Sequence, residues 1–303
     1  MQNVTTLIAG EGFKLNPQIA NEIASDLEHS GGYIENIVEL SKNHAYDIYF
    51  SRISADEARE IYNASLEGQN VDFIVQGSEG RKKKLLISDM DSTIIEQECL
   101  DEIAGELGIK EKIAAITERA MNGELDFKAA LRERVALLKG LDAESLDRVY
   151  KNKITFTNGA LELVKTMRAN GAYCVLVSGG FTFFTSRVAA HCGFHIEEAN
   201  ILEIENGKLT GKVKEPILDA TSKLNSLLYY TEEKNLSLFN TIAIGDGAND
   251  LPMIQKSALG IAFSAKPFVK KQAIHKIDNR NLRAVLYAQG YKESEIEVKM
   301  SKS

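Results

Sequence analysis

Apolar and polar positions follow two different rhythms along the chain, and the rhythm changes near Gly77-Ser78-Glu79-Gly80-Arg81. In the first stretch, Val4 to Ala9 has the length and character of a strand. Asn16-Pro17 predicts a helix start, with Asn as cap and Pro in the first turn. Ile19, Ala20, Ile23, Ala24 and Leu27 then share one helical face, and Gly31-Gly32 ends it. Tyr33 to Leu40 and Ala45 to Phe50 predict a hairpin pair of strands. Ser54 and Glu57 have capping-box spacing before a second helix that Gly68 terminates, and Val71 to Val75 closes the set. The order βαββαβ is the ferredoxin-like arrangement, an α+β module expected over residues 1–80.

From residue 81 to 303 the pattern alternates strands and helices, which implies a doubly wound parallel α/β sheet. Leu85–Ile87, Cys174–Val177, Ile242–Ile244 and Leu259–Phe263 are continuous apolar runs, as in strands buried on both faces. A helical insertion at about 98–153, punctuated by Gly108, Gly123 and Gly140, follows the first of these and is expected to cap that strand's end. Ile201–Val213, with its turn at Glu205-Asn206-Gly207, predicts a β-hairpin.

Composition narrows the function classes. A net charge of −7 over 303 residues argues against nucleic acid or an anionic membrane as partner. The basic run Arg81-Lys82-Lys83-Lys84 is expected to be a solvated linker ahead of a buried strand. Three cysteines without C-x-x-C spacing suit a reducing compartment and neither a disulfide framework nor zinc. With no signal-peptide pattern and no apolar run of membrane-spanning length, a cytoplasmic protein is expected.

Three clusters carry candidate chemistry, each just beyond a predicted parallel strand, where open α/β sheets bind ligands. Asp89-Met90-Asp91-Ser92-Thr93 follows the first. Two carboxylates spaced two apart on a turn can both face one substrate, Asp89 attacking phosphorus and Asp91 serving as acid and then base. Ser178-Gly179-Gly180 offers a hydroxyl and unobstructed backbone N–H groups for phosphate. Gly245-Asp246-Gly247-Ala248-Asn249-Asp250 supplies hard oxygen ligands of the kind Mg²⁺ takes, with Asp246 the better direct ligand and Asn249 and Asp250 in support. Lys223 could neutralise the crowd of oxygens. Each cluster alone has a commonplace structural explanation, but three at the ends of three separate strands do not.

On these motifs, residues 84–285 resemble the phosphoserine phosphatase family of the haloacid dehalogenase superfamily. The resemblance implies Mg²⁺-dependent hydrolysis of O-phospho-L-serine through an aspartyl-phosphate on Asp89, the last step of serine biosynthesis. It implies a metal held by Asp89, the main-chain carbonyl of Asp91, and Asp246. It assigns Glu98 to the substrate ammonium, Arg134 to its carboxylate and Phe127 to the pocket wall. The first 80 residues resemble an ACT-type regulatory module, expected to support dimerisation or amino-acid sensing. A chain starting near Glu79 is expected to fold and keep activity. Three rivals are a phosphotransferase using an alcohol acceptor, a dehalogenase, which has no need of Asp91, and an amino-acid sensor with a dead phosphatase half.

Overall fold

The computed structural model describes residues 2–121 and 124–297. Gly123, expected to punctuate the insertion, lies outside the described residues. The chain begins with β1 (Asn3–Ala9), α1 (Pro17–His29), β2 (Tyr33–Ser41), β3 (Ala45–Ser51), α2 (Ala55–Ser65) and β4 (Val71–Gly77). Asn16 caps α1 by accepting from the Ile19 N–H, and Ser54 with Glu57 closes a full capping box on α2. The four strands form an antiparallel sheet in the order β2-β3-β1-β4. Alternation along β1 divides its residues between two faces. Leu7 and Ala9 join Tyr46, Ile48 and Phe50 under α1 and α2, while Ile8 joins Ala45 and Ile74 on the opposite face.

That opposite face is not open to water, because the rest of the chain packs on it. After β5 (Leu85–Ser88) come α3 (Cys99–Glu106), α4 (Lys110–Met121), α5 (Phe127–Ala136), α6 (Glu144–Lys153) and α7 (Ala160–Ala169). Then follow β6 (Tyr173–Phe181), α8 (Thr182–Cys192), β7 (Ile196–Asn200), β8 (Leu202–Glu205), β9 (Lys208–Val213) and α9 (Ala220–Glu233). The chain closes with β10 (Thr241–Gly245), α10 (Leu251–Lys256), β11 (Leu259–Phe263), α11 (Pro267–Gln272), β12 (His275–Ile277) and α12 (Arg283–Ala288).

Six parallel strands lie in the order β12-β11-β10-β5-β6-β7. Leu85 and Ile87 face one layer, packed with Leu227 and Met253, while Leu86 faces the other with Leu163 and Val188. A strand covered on both sides needs apolar residues at every position, which explains the unbroken runs. No helix is long and apolar enough to cross a membrane among the described residues.

The basic run at the joint departs from expectation. Arg81 and Lys83 are 6% and 4% exposed, so this is no solvated linker. The Arg81 guanidinium grips Asp47 bidentately at 2.6 and 2.9 Å, and donates to Thr6 and to the carbonyls of Tyr287 and Ala288 at the end of α12. Gln76 donates to the Ala288 carbonyl, and Asp72 accepts from the N–H groups of Asp278 and Asn279. Arg81 and Lys83 are buried because their partners, remote in sequence, come to them, while Lys82 is half-buried and Lys84 exposed. Lys83 Nζ donates to the Gly80 and Phe239 carbonyls, both at 3.0 Å, and burial, with Arg81 adding to it, drags its ammonium down to about 8.

The insertion is helical as expected, α3 to α6, and an antiparallel bridge between Ile95 and Phe156 joins the chain's way in to its way out. The hairpin β8-β9 belongs with it. Gly140 and Ala143 donate to Leu209 and Gly207, and Leu209 donates to Leu141, so the cap has a β arm that its own sequence does not contain.

Candidate active site

Because β6, β5 and β10 are neighbours in the sheet, their C-terminal ends bring the three sequence clusters together. Asp89 and Asp91 follow β5, Ser178-Gly179-Gly180 is the end of β6, and Asp246 follows β10. The Asp89 N–H donates to the Ile244 carbonyl at 3.0 Å, which ties the first turn to the third.

Lys223 lies beneath them. Asp219 caps α9 through the Ser222 N–H, and one turn into that helix the Lys223 side chain runs inward, 2% exposed. Its Nζ donates to Asp89 Oδ1 at 2.5 Å and Asp250 Oδ1 at 2.6 Å. An exposed helix lysine is therefore ruled out. Asp250 Oδ2 accepts from the Gly247 N–H at 2.9 Å, so both its oxygens are engaged in holding the loop and the lysine.

Two glycines permit this crowding. A Cβ at Gly180 would stand 2.8 Å from Asp91 Oδ2 and 3.0 Å from Ser178 Oγ. A Cβ at Gly245 would meet Asp250 Cγ at 2.4 Å.

The electrostatics are unbalanced. Burial pushes Asp89 well above the usual carboxylate range, and Asp250 and Asp246 add to the push against Lys223. Burial also raises Asp91 to about 7, with Glu98 adding to it. Asp246 rises to about 6 by burial, which Lys266 partly offsets while Asp250 and Glu98 reinforce it. Burial works against the Lys223 charge, but Asp250 and Asp89 outweigh it and hold the ammonium protonated. Asp89, Asp246 and Asp250 each offer an oxygen within 4.8 Å of the others. Three carboxyl groups around one buried ammonium gather hard oxygens in a set that suits a dication.

Above this floor opens a cavity of about 440 Å³, lined by Asp89, Asp91, Ser178, Gly179, Gly180, Asp246 and Asn249 from below and by Glu98, Phe127 and Arg134 from the cap. Glu98 starts α3 without capping it; its Oε1 accepts from Ser92 Oγ at 2.8 Å instead. Asp126 caps α5, which sets Phe127 over Gly179 and brings Arg134, two turns on, to the same wall. Burial lowers the Arg134 guanidinium, and Asp101 and Glu98 work the other way.

Sequence reasoning passed over three residues that the structure brings to the site. Asn200, buried at the end of β7, donates to the Gly179 carbonyl at 2.8 Å and holds the Ser178-Gly179-Gly180 turn. Ser92 orients Glu98. Lys266 lies at the cavity wall beside Asp246. An Asn closing a strand was a readable signal for the first; Lys266, in Ala265-Lys266-Pro267, offered none.

The sequence profile of haloacid dehalogenase-like hydrolases matches residues 86–255. A phosphoserine phosphatase of Archaeoglobus fulgidus is 43% identical over 230 residues, 75% of this chain and 67% of that one. A phosphoserine phosphatase of Saccharomyces cerevisiae is 38% identical over 303 residues, covering 97% of each chain. A crystal structure of a haloacid dehalogenase-family hydrolase from Salmonella enterica serovar Typhi superposes with a TM-score of 0.82 at 28% identity, covering 98% of this chain and all of that one.

Proposed function

The chain belongs to the haloacid dehalogenase-like hydrolases, and we propose that it hydrolyses O-phospho-L-serine to L-serine and phosphate. The observation that carries this reading is the pairing of one acid and one base on the cap wall, Glu98 and Arg134, over the Asp89–Asp91 floor. Phosphoserine is a phosphate, an ammonium and a carboxylate on one small frame, and the cavity offers a complement to each. Arg134 can grip the carboxylate through two parallel N–H bonds, Glu98 can accept from the ammonium, and Phe127 can cover the carbon frame.

Asp89 is the nucleophile in this reading. Its oxygen forms a bond to phosphorus as the bond to the serine oxygen breaks, and Asp91 gives its proton to that oxygen. Asp91 then takes a proton from water, whose oxygen attacks the aspartyl-phosphate and returns Asp89 as carboxylate. A carboxyl raised to about 7 is matched to both tasks near neutral pH. Ser178, the Gly179 N–H, Lys223 and Asn249 take the phosphate oxygens, and the Gly180 N–H, which donates to Ser178 Oγ at 2.8 Å, holds that hydroxyl in place. Asp89, Asp246 and the Asp91 carbonyl would hold Mg²⁺, with Asp250 fixing the loop; bound there, it supplies charge against the phosphate oxygens.

For the first 80 residues we propose a second copy of the chain as partner, supported by β2, whose outer edge pairs with no described strand. Buried, unpaired cysteines support the cytoplasm as its compartment.

Phosphate release from a panel of phosphomonoesters, with Mg²⁺ and then with EDTA, tests the reading. Phosphoserine should lead the panel and lose its turnover with EDTA. Equal rates on O-phosphoethanolamine, which lacks the carboxylate, would remove Arg134 and the proposed substrate together.

A further inference from the structure

Four of the groups lining the cavity are carboxylic acids, Asp89, Asp91, Glu98 and Asp246, and the substrate class proposed above arrives as a phosphate dianion. Beyond Lys223, which lies beneath the floor, the cavity wall has among the described residues two cations to set against them, Arg134 and Lys266. They stand at different ends. Arg134 is on the cap, where Asp101 and Glu98 are its charged neighbours. Lys266 is on the core beside Asp246, an exposed side chain on the wall at the end that holds Asp89 and Asp246.

Lys266 is held there by its own backbone. Its N–H donates to the Asp246 carbonyl at 3.1 Å, and Pro267 turns the chain into α11 directly after it. The side chain is 63% exposed and its Nζ stands 3.9 Å from Asp246 Oδ2, beyond hydrogen-bond length. A pair so exposed and so long contributes little to stability, typically about 0–1 kcal/mol. A structural purpose therefore does not explain an ammonium fixed at the mouth of an acidic cavity. Its field does: at a cleft walled by low-dielectric protein, a single charge raises the local concentration of an oppositely charged solute and speeds its entry.

We propose that Lys266 is the entrance cation of this site, a positioning residue that draws the phosphate end of the substrate in past the acidic wall. The same charge opposes a dication at Asp246. Removing it must therefore weaken anion binding and strengthen cation binding at once. A distortion of the loop would weaken both, so the pair of signs separates charge from scaffolding.

The inference rests on the phosphatase reading, but part of its test needs no turnover. Mg²⁺ and inorganic phosphate are titrated separately by calorimetry into the full chain and into Lys266→Ala, Lys266→Glu and Lys266→Arg. In Lys266→Ala, phosphate should bind about 3- to 10-fold more weakly and Mg²⁺ about 2- to 5-fold more tightly, from one unit charge at close range in screened solvent. Lys266→Glu should exaggerate both changes and Lys266→Arg should restore both. With phosphoserine, kcat/KM should fall by a similar factor while kcat stays within about twofold, and the salt dependence of kcat/KM should flatten. Weaker binding of both ions, or no change in either, would overturn the proposal even if phosphoserine is turned over normally. A chain that hydrolyses no phosphomonoester yet shows the opposed shifts would instead break the substrate reading and leave the role of Lys266 standing.

Discussion

Among the described residues a cation is buried beside carboxylate in two places, and the two differ in what is left over. At the joint between the N-terminal sheet and the parallel sheet, one guanidinium meets one carboxylate, and its terminal N–H groups also reach Thr6, Tyr49 and two carbonyls, while Nε is buried without a partner. Charge is matched within the protein. At the ends of β5, β6 and β10, one ammonium lies under Asp89 and Asp250 while Asp91 and Asp246 crowd the same space, three of these acids held above their ordinary range. That charge is matched only when something else binds. A closed account of this kind marks architecture, and an open one marks a place where ligands are expected.

The sharpest test of the difference removes one charged partner from each region, an acid at the strand ends and the cation at the joint. Asp89→Asn should cut turnover by about 10⁴-fold or more, since an amide cannot form the acyl-phosphate, yet leave the melting temperature equal or higher in EDTA. Near-normal turnover, or labelled phosphate trapped on Ser178 instead, would end the mechanism. Arg81→Met should do the reverse. It strands Asp47 without its partner and should cost about 3–5 kcal/mol in urea unfolding, while the folded fraction keeps its kcat. If that variant is as stable as the parent, the matched pair is not what holds the joint.

These bonds also revise the expectation for a chain starting near Glu79. It would lose Asp47 and Thr6 and uncover the α12 side of the joint, so the same instability is expected of it.

A smaller effect probes the cap. Arg134→Ala should lower kcat/KM on phosphoserine about 10- to 100-fold and on an aryl phosphate much less. Equal losses would make Arg134 a structural residue.

The smallest effect is in pH. Asp91 and Asp246 titrate higher folded than unfolded, so their protonated forms favour the native state. Stability from them is full below about pH 4 and is lost as pH rises through about 6 and about 7. The melting temperature of the metal-free chain, minus that of Asp91→Asn, should therefore fall between pH 4 and pH 7.5. A difference that rises over this range would mean Asp91 is not held up by burial.

The parallel fold and the three candidate clusters that meet at its strand ends were legible because both are local: an apolar run, then acids or glycines at its end. The ferredoxin-like module was legible from its caps and turns. What escaped depends on partners far along the chain. Arg81-Lys82-Lys83-Lys84 reads as solvated until Asp47, 34 positions earlier, and the end of α12 are brought to it. The β arm of the cap comes from residues after β7, and nothing in its hairpin says that it will pair with the loop between α5 and α6. Lys266 matters through where its charge lies, and a lone lysine before a proline carries no such message.

The Arg81 contacts also fix an order of events during synthesis. Asp47 and Thr6 leave the ribosome before Arg81 does, so the bidentate pair can close at once. The Tyr287 carbonyl follows 206 residues later. At translation rates of roughly 5–20 residues per second that is a wait of about 10–40 s. Throughout it the sheet face bearing Ile8, Ala45 and Ile74 has no α12 to cover it. The nascent chain thus carries an uncovered apolar face throughout that wait, and α12 is the helix that relieves it.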